Sequence, residues 1–149
     1  ACWAALVTIG EKGYLEATKR ILETAAKIKA GIREIPEVSL IGDPLFVIAF
    51  QSQELDVYRI MDAMTERGWN LNGLHKPAAV HLCVTLRQTQ AGVAERFIAD
   101  LKASVAAVKA DVDVRGTGAP IYGMANTLPD RGIVADLLRK HMDSWYRLA

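Results

Sequence analysis

The spacing of apolar residues changes several times along this chain, and each change marks an element. Tyr14, Thr18, Ile21, Leu22, Ala25, Ile28, Ile32 and Ile35 recur at three- and four-residue steps, which places them on one helical face. Lys19, Arg20, Glu23, Lys27 and Lys29 fall mostly opposite. Upstream, Ala1–Ile9 is almost wholly apolar, and Gly10 and Gly13 flank Glu11 and Lys12. Those glycines make the first stretch a separate helical piece or a kinked continuation. Gly31 and Pro36 mark the other end.

Val38–Ile41 and Leu45–Phe50 then read as two short strands, with Gly42, Asp43 and Pro44 as the turn. Leu45–Phe50 is apolar at every position, which predicts a strand covered on both faces. Glu54–Arg67 predicts a helix with Val57, Ile60, Met61 and Met64 inward and Gly68 as its stop. Strands are expected at Trp69–Leu74 and Ala79–Leu86. The second alternates Val80, Leu82, Val84 and Leu86 with His81, Cys83, Thr85 and Arg87, the pattern of a half-buried strand. Thr89 is a candidate cap for the next helix, whose stripe is Val93, Phe97, Leu101, Val105, Val108 and Val112. After a glycine-rich segment, a last helix starts near Pro129 and carries Ile133, Val134, Leu137, Leu138, His141, Met142, Trp145 and Leu148. Met142, Trp145 and Tyr146 offer either an interaction surface or, at their helical spacing, a share of the core, and they read first as core. The predicted class is α+β: a small, mostly antiparallel sheet with helices chiefly on one face.

Composition narrows the functions available. A chain of 149 residues with 51% hydrophobic and 23% charged residues suits one ordinary domain. Its net charge of +1 supplies no concentrated positive field for nucleic acid. Cys2 and Cys83 are too few for a disulfide scaffold, and no spacing of ligand types announces a metal site. No apolar run reaches bilayer length and none has signal-peptide architecture. A cytoplasmic location is the expectation, with an upstream anchor left open. The chain opens ACWAALVTIG, apolar and without a starting methionine, and reads as a piece of a longer protein.

Three places carry candidate chemistry. The His75-Lys76 pair has the residue types of a lysine that forms a Schiff base with pyridoxal phosphate, yet it falls in a predicted turn beside Pro77 and reads first as an exposed turn pair. His81 lies on the polar side of its strand with Cys83. Residues two apart on a strand stand roughly 7 Å from each other, too far for a presumed cysteine–histidine nucleophile pair. A histidine facing a cleft stands against an ordinary structural one. The loop from Gly116 to Ala125 sets Tyr122 among small residues, where its phenol can donate to a phosphate or carboxylate or move a proton; plain loop packing stands equally beside that reading. Gly116, Gly118 and Gly123 lack the spacing of a dinucleotide or Walker loop.

Several strings of residues resemble the C-terminal region of sphingosine-1-phosphate lyases. They are Ala1–Leu6, Gly10–Tyr14 and Glu16–Lys19, then Gly68–Asn72, His81–Thr85 and Ile121–Ala125, in that order over nearly the whole chain. Trp69–Asn72 and Ile121–Ala125 are specific to this lyase group, and the layout is shared with the wider pyridoxal-phosphate-dependent decarboxylase-like family. The resemblance implies the C-terminal small domain of a type I fold enzyme, with residues 1–35 a helical segment leading to a large cofactor-binding domain. It implies an active site formed between domains in a homodimer. The implied reaction is cleavage of a phosphorylated sphingoid base, such as sphingosine 1-phosphate, to a fatty aldehyde and phosphoethanolamine, with pyridoxal phosphate as cofactor.

Residue by residue, the resemblance gives Tyr122 a catalytic and substrate-binding role near the substrate entrance. It gives His81 a substrate-binding role, at the place where related decarboxylases carry a carboxylate-binding arginine. It assigns no cofactor-binding or metal residue to this chain, because the Schiff-base lysine belongs to the large domain; the chain alone is then expected to be inactive. Pro120 departs from the family's loop. Two rivals stand beside this reading. One is an amino-acid decarboxylase of the same family. The other is a stand-alone ligand-binding or regulatory module loosely similar to ferredoxin-like domains.

Overall fold

Thirty-two residues, Cys2–Arg33, form helix α1, but its course is broken at Gly10 (φ 64°, ψ 173°). That conformation is open to glycine and strained for residues with a Cβ, so the apolar stretch before Gly10 is a separate helical piece joined at a kink. The computed structural model describes residues 2–110 and 131–146. Strands β1 (Ser39–Leu40) and β2 (Val47–Gln51) follow, then helix α2 (Val57–Glu66), strands β3 (Asn72–His75) and β4 (Ala78–Cys83), helix α3 (Val93–Lys109) and helix α4 (Arg131–Tyr146). The glycine-rich segment containing Tyr122 lies outside the described residues.

The four strands lie in the order β1-β2-β4-β3, every pairing antiparallel. Ile48 and Phe50 of β2 and Val80 and Leu82 of β4 point to one side, where they join Ile28 and Ile32 of α1, Ile60 and Met64 of α2, and Phe97 and Leu101 of α3. Burying each such side chain contributes about 1.5–3 kcal/mol, so this single seam holds the sheet to three helices. The predicted α+β class and the one-sided packing are what the structure has.

Local chemistry sets the element ends. Asp56 caps α2 by accepting from the Tyr58 amide. Gly68 ends it, with the Gly68 and Trp69 amides donating to the Thr65 and Met64 carbonyls. Where α1 crosses α3, a Cβ on Gly31 would lie 2.4 Å from Ile98 Cδ1 and Cγ1, so the approach depends on that glycine.

Four expectations are corrected. β2 is not covered on both faces: Val47 is 43% exposed and only Ile48 and Phe50 are buried, because helices cover one side of the sheet. Thr89 does not cap α3; Gly92 occupies that position without a side-chain bond. The capping side chain is instead Thr85, reciprocated by Gln88 around a 3₁₀ turn at Leu86–Thr89. The stripe of α1 is buried only from Ala25 onward, and Tyr14 is exposed with Trp3, Leu6, Val7 and Leu15. On α4, Met142, Trp145 and Tyr146 are exposed, at 60%, 75% and 79%; their helical spacing was compatible with a core that they do not enter.

Candidate functional site

The side of the sheet away from the helices carries the chemistry. Strand alternation puts Val47, Ala49 and Gln51 of β2, Asn72 and Leu74 of β3, and Ala79, His81 and Cys83 of β4 on that open face. His81 stands near its centre, directly between Ala49 on one neighbouring strand and Asn72 on the other. Ala49 beside it is small and half-buried, whereas Ala79, two residues before it on the same strand, is fully covered. The ring is half-buried and its Nδ1 is buried without a hydrogen-bond partner. Cys83 is a free, exposed thiol opposite Val47. It shares the face with His81 without forming a hydrogen bond to it.

The two residues of the His75-Lys76 pair separate. His75 ends β3 on the helix-side register, opposite Ala78, whereas Lys76 is exposed in the turn ahead of a cis Lys76–Pro77 bond. His75 and His81 therefore lie on opposite faces of the sheet, and the pair is a turn feature. Among the described residues, no group of three or more histidine, cysteine or carboxylate side chains could hold a metal. Several lysines are engaged in ion pairs: Lys29 with Asp43 at 3.1 Å, Lys102 with Glu34 at 2.9 Å and Lys109 with Glu37 at 2.6 Å. The Lys109 hydrogen bond, followed by a backbone bond, holds the Glu37 carboxyl below the usual range, and Glu37 in turn raises the Lys109 ammonium. These pairs tie α1 and the β1 region to α3 or to the first hairpin turn. They are structural ties away from the open face.

Two things were not legible from the chain. Asn72 neighbours His81 only through the β3–β4 register, which a hairpin's turn sets and a single sequence does not print. A second polar cluster, built on Trp69, joins β3's approach to α3: the indole N–H donates to Asp100 Oδ2 at 2.8 Å, and the Arg96 guanidinium carbon lies 5.3 Å from the ring centroid. Phe97 meets the same ring edge-on at 5.0 Å. Trp69 thus serves packing in a string that the resemblance had singled out. Among the described residues, no helix is long and apolar enough to cross a membrane.

No family model matches the chain. Curated relatives do. A sphingosine-1-phosphate lyase of Arabidopsis thaliana is 42% identical over 97% of this chain and 26% of the relative. The Drosophila melanogaster lyase is 43% identical over 98% and 27%, and the Rattus norvegicus lyase 42% over 98% and 26%. The chain thus spans about a quarter of the length of the relatives it matches. Among solved structures, the Burkholderia pseudomallei sphingosine-1-phosphate lyase superposes with a TM-score of 0.75 at 36% identity, over 99% of this chain and 29% of that one. A C-DES variant with glycine covalently linked to its PLP cofactor shares the fold at 16% identity, with a TM-score of 0.52 over 58% of this chain. The chain belongs to the sphingosine-1-phosphate lyase family, as the counterpart of the C-terminal region of those proteins.

Proposed function

We propose that this chain is the small domain of a pyridoxal-phosphate-dependent carbon–carbon lyase that splits phosphorylated sphingoid bases into a fatty aldehyde and phosphoethanolamine. The observation that carries the reading is the identity of 41–44% to several lyases over nearly the whole chain, together with a sheet whose open face carries a half-buried histidine, His81. Pyridoxal phosphate supplies the electron sink for such a cleavage. Among the described residues the open face carries no lysine, and its donor set fits a wall beside that group rather than its anchor. On this reading the chain alone is inactive, and the large domain brings the cofactor and its lysine.

The role of the chain's own residues follows from their chemistry. Tyr122, in the glycine-rich stretch of sequence, binds the substrate phosphate or holds and moves a proton at its phenol oxygen. His81 contacts the substrate from the open face. The exposed apolar side chains of α1 before its buried half, Trp3, Leu6, Val7 and Leu15, pack against the large domain, for which residues 1–35 are the lead-in. Exposed apolar area of this kind marks an interaction surface. The full enzyme works as a homodimer.

The test is the visible absorption of the longer protein that contains this chain. A bound-cofactor band that changes on adding a phosphorylated sphingoid base supports the reading. A purified longer protein that neither carries nor takes up pyridoxal phosphate overturns it.

A further inference from the structure

Among the described residues, His81 Nδ1 is the buried side-chain nitrogen or oxygen that lacks a hydrogen-bond partner. The residue as a whole is only half-buried while its Nδ1 is buried, and Nε2, at the far end of the ring, is not among the buried unpartnered atoms of the described residues. A neutral imidazole carries one proton, on either nitrogen. A proton on Nδ1 would bury an N–H with no acceptor, whereas a proton on Nε2 leaves only a lone pair there. Either choice leaves one buried group unfilled, but orphaned buried N–H groups are the rarer case in native structures, which favours the bare Nδ1.

We propose that His81 rests as the Nε2–H tautomer and acts as a neutral hydrogen-bond donor to an oxygen of the substrate, positioning it without serving as a base. This rests on the lyase reading for the substrate but not for the tautomer. On this assignment Nε2 already holds the proton, and the nitrogen free to accept one is buried. The surroundings agree with a donor's role: the directly opposed Ala49 carries only a methyl group, and the lateral neighbour Asn72 adds an uncharged, exposed amide on the same face. Substrate oxygen, whether of the phosphate or of the hydroxyl, is the matching acceptor.

Two substitutions separate donor from base in the full-length enzyme. In His81→Gln the side-chain amide N–H reaches about where Nε2–H stands; in His81→Asn it falls nearer Nδ1. The expected result is that His81→Gln keeps KM within about threefold of the parent while His81→Asn raises it about tenfold or more, with kcat little changed in both. A fall in kcat of about a hundredfold in both variants, with KM unchanged, is the signature of a base and overturns the proposal. Independently of any substrate, nitrogen-15 spectra of the histidine-labelled full-length protein read the tautomer directly, the His81 signals being those missing from His81→Gln. A protonated Nε2 beside a bare Nδ1 is expected, and a protonated Nδ1 overturns the proposal. Loss of aldehyde release altogether would strike the lyase reading, and the nitrogen spectrum still decides the tautomer.

Discussion

Trp69 and Asp100, 31 residues apart, are joined by a 2.8 Å bond from the indole N–H to a carboxylate oxygen. The bond fixes the segment entering β3 to the middle of α3, and Phe97 and Arg96 close around the same ring. Trp69→Phe keeps an aromatic ring against Phe97 and removes only the donor. The expected loss is about 1–2 kcal/mol of unfolding free energy, the size of a hydrogen bond to a charged group that is partly open to solvent. Denaturant unfolding of the single variants and of Trp69→Phe with Asp100→Ala checks it. A double variant whose loss equals the sum of the singles would show that the two residues do not interact.

Gly31 decides how closely α1 and α3 approach. A methyl there would meet three side-chain carbons of Ile98 at 2.4–2.9 Å, so Gly31→Ala forces either a rotamer change or a helix shift. A destabilisation of about 1–3 kcal/mol is expected. Shortening the obstacle with Ile98→Ala in the Gly31→Ala background should recover part of it, as read by thermal or denaturant unfolding. An unaltered midpoint for Gly31→Ala alone would mean that the crossing is looser than described.

The Glu37–Lys109 pair makes stability depend on pH with a definite sign. Lys109's hydrogen bond, and then a backbone bond, hold the Glu37 carboxyl below its ordinary value of 4.5. Its contribution is therefore full above that value and lost as pH falls through the lowered one. Lys109 is raised above 10.5, so its contribution is full below that value and lost as pH rises through the raised one. Lys109→Met should lower the melting temperature by a constant amount between about pH 6 and 9, and the gap should close in acid. A gap that widens on acidification would contradict the pairing.

The element order, the α+β class and the core stripes of α2 and α3 were legible because each rests on local periodicity. What failed was any statement about the far side of an element. Leu45–Phe50 is apolar throughout, yet its second face is open, since an unbroken apolar run does not tell a buried strand from one awaiting another surface. The same holds for Trp145 and Tyr146 on α4, and for Tyr14 on α1. The site was legible in part. His81 stood out by alternation, but its unpartnered Nδ1 and its neighbour Asn72 follow from register and packing across strands distant in sequence. Tyr122 was singled out by residue type and resemblance and lies outside the described residues.

For Tyr122, on the lyase reading, phenylalanine removes the hydroxyl and leaves the ring. Tyr122→Phe in the full-length enzyme should slow turnover by about a hundredfold, as expected for loss of a positioned proton donor or acceptor. The bound-cofactor spectrum before substrate should stay nearly the same. Parent kinetics in that variant would remove Tyr122 from the chemistry.

Product analysis of the full-length protein tests the account most directly. Incubated with a phosphorylated sphingoid base, it should release fatty aldehyde and phosphoethanolamine in equal amounts. Release of carbon dioxide from an amino acid, with no aldehyde from the phosphorylated base, would contradict it and select a decarboxylase.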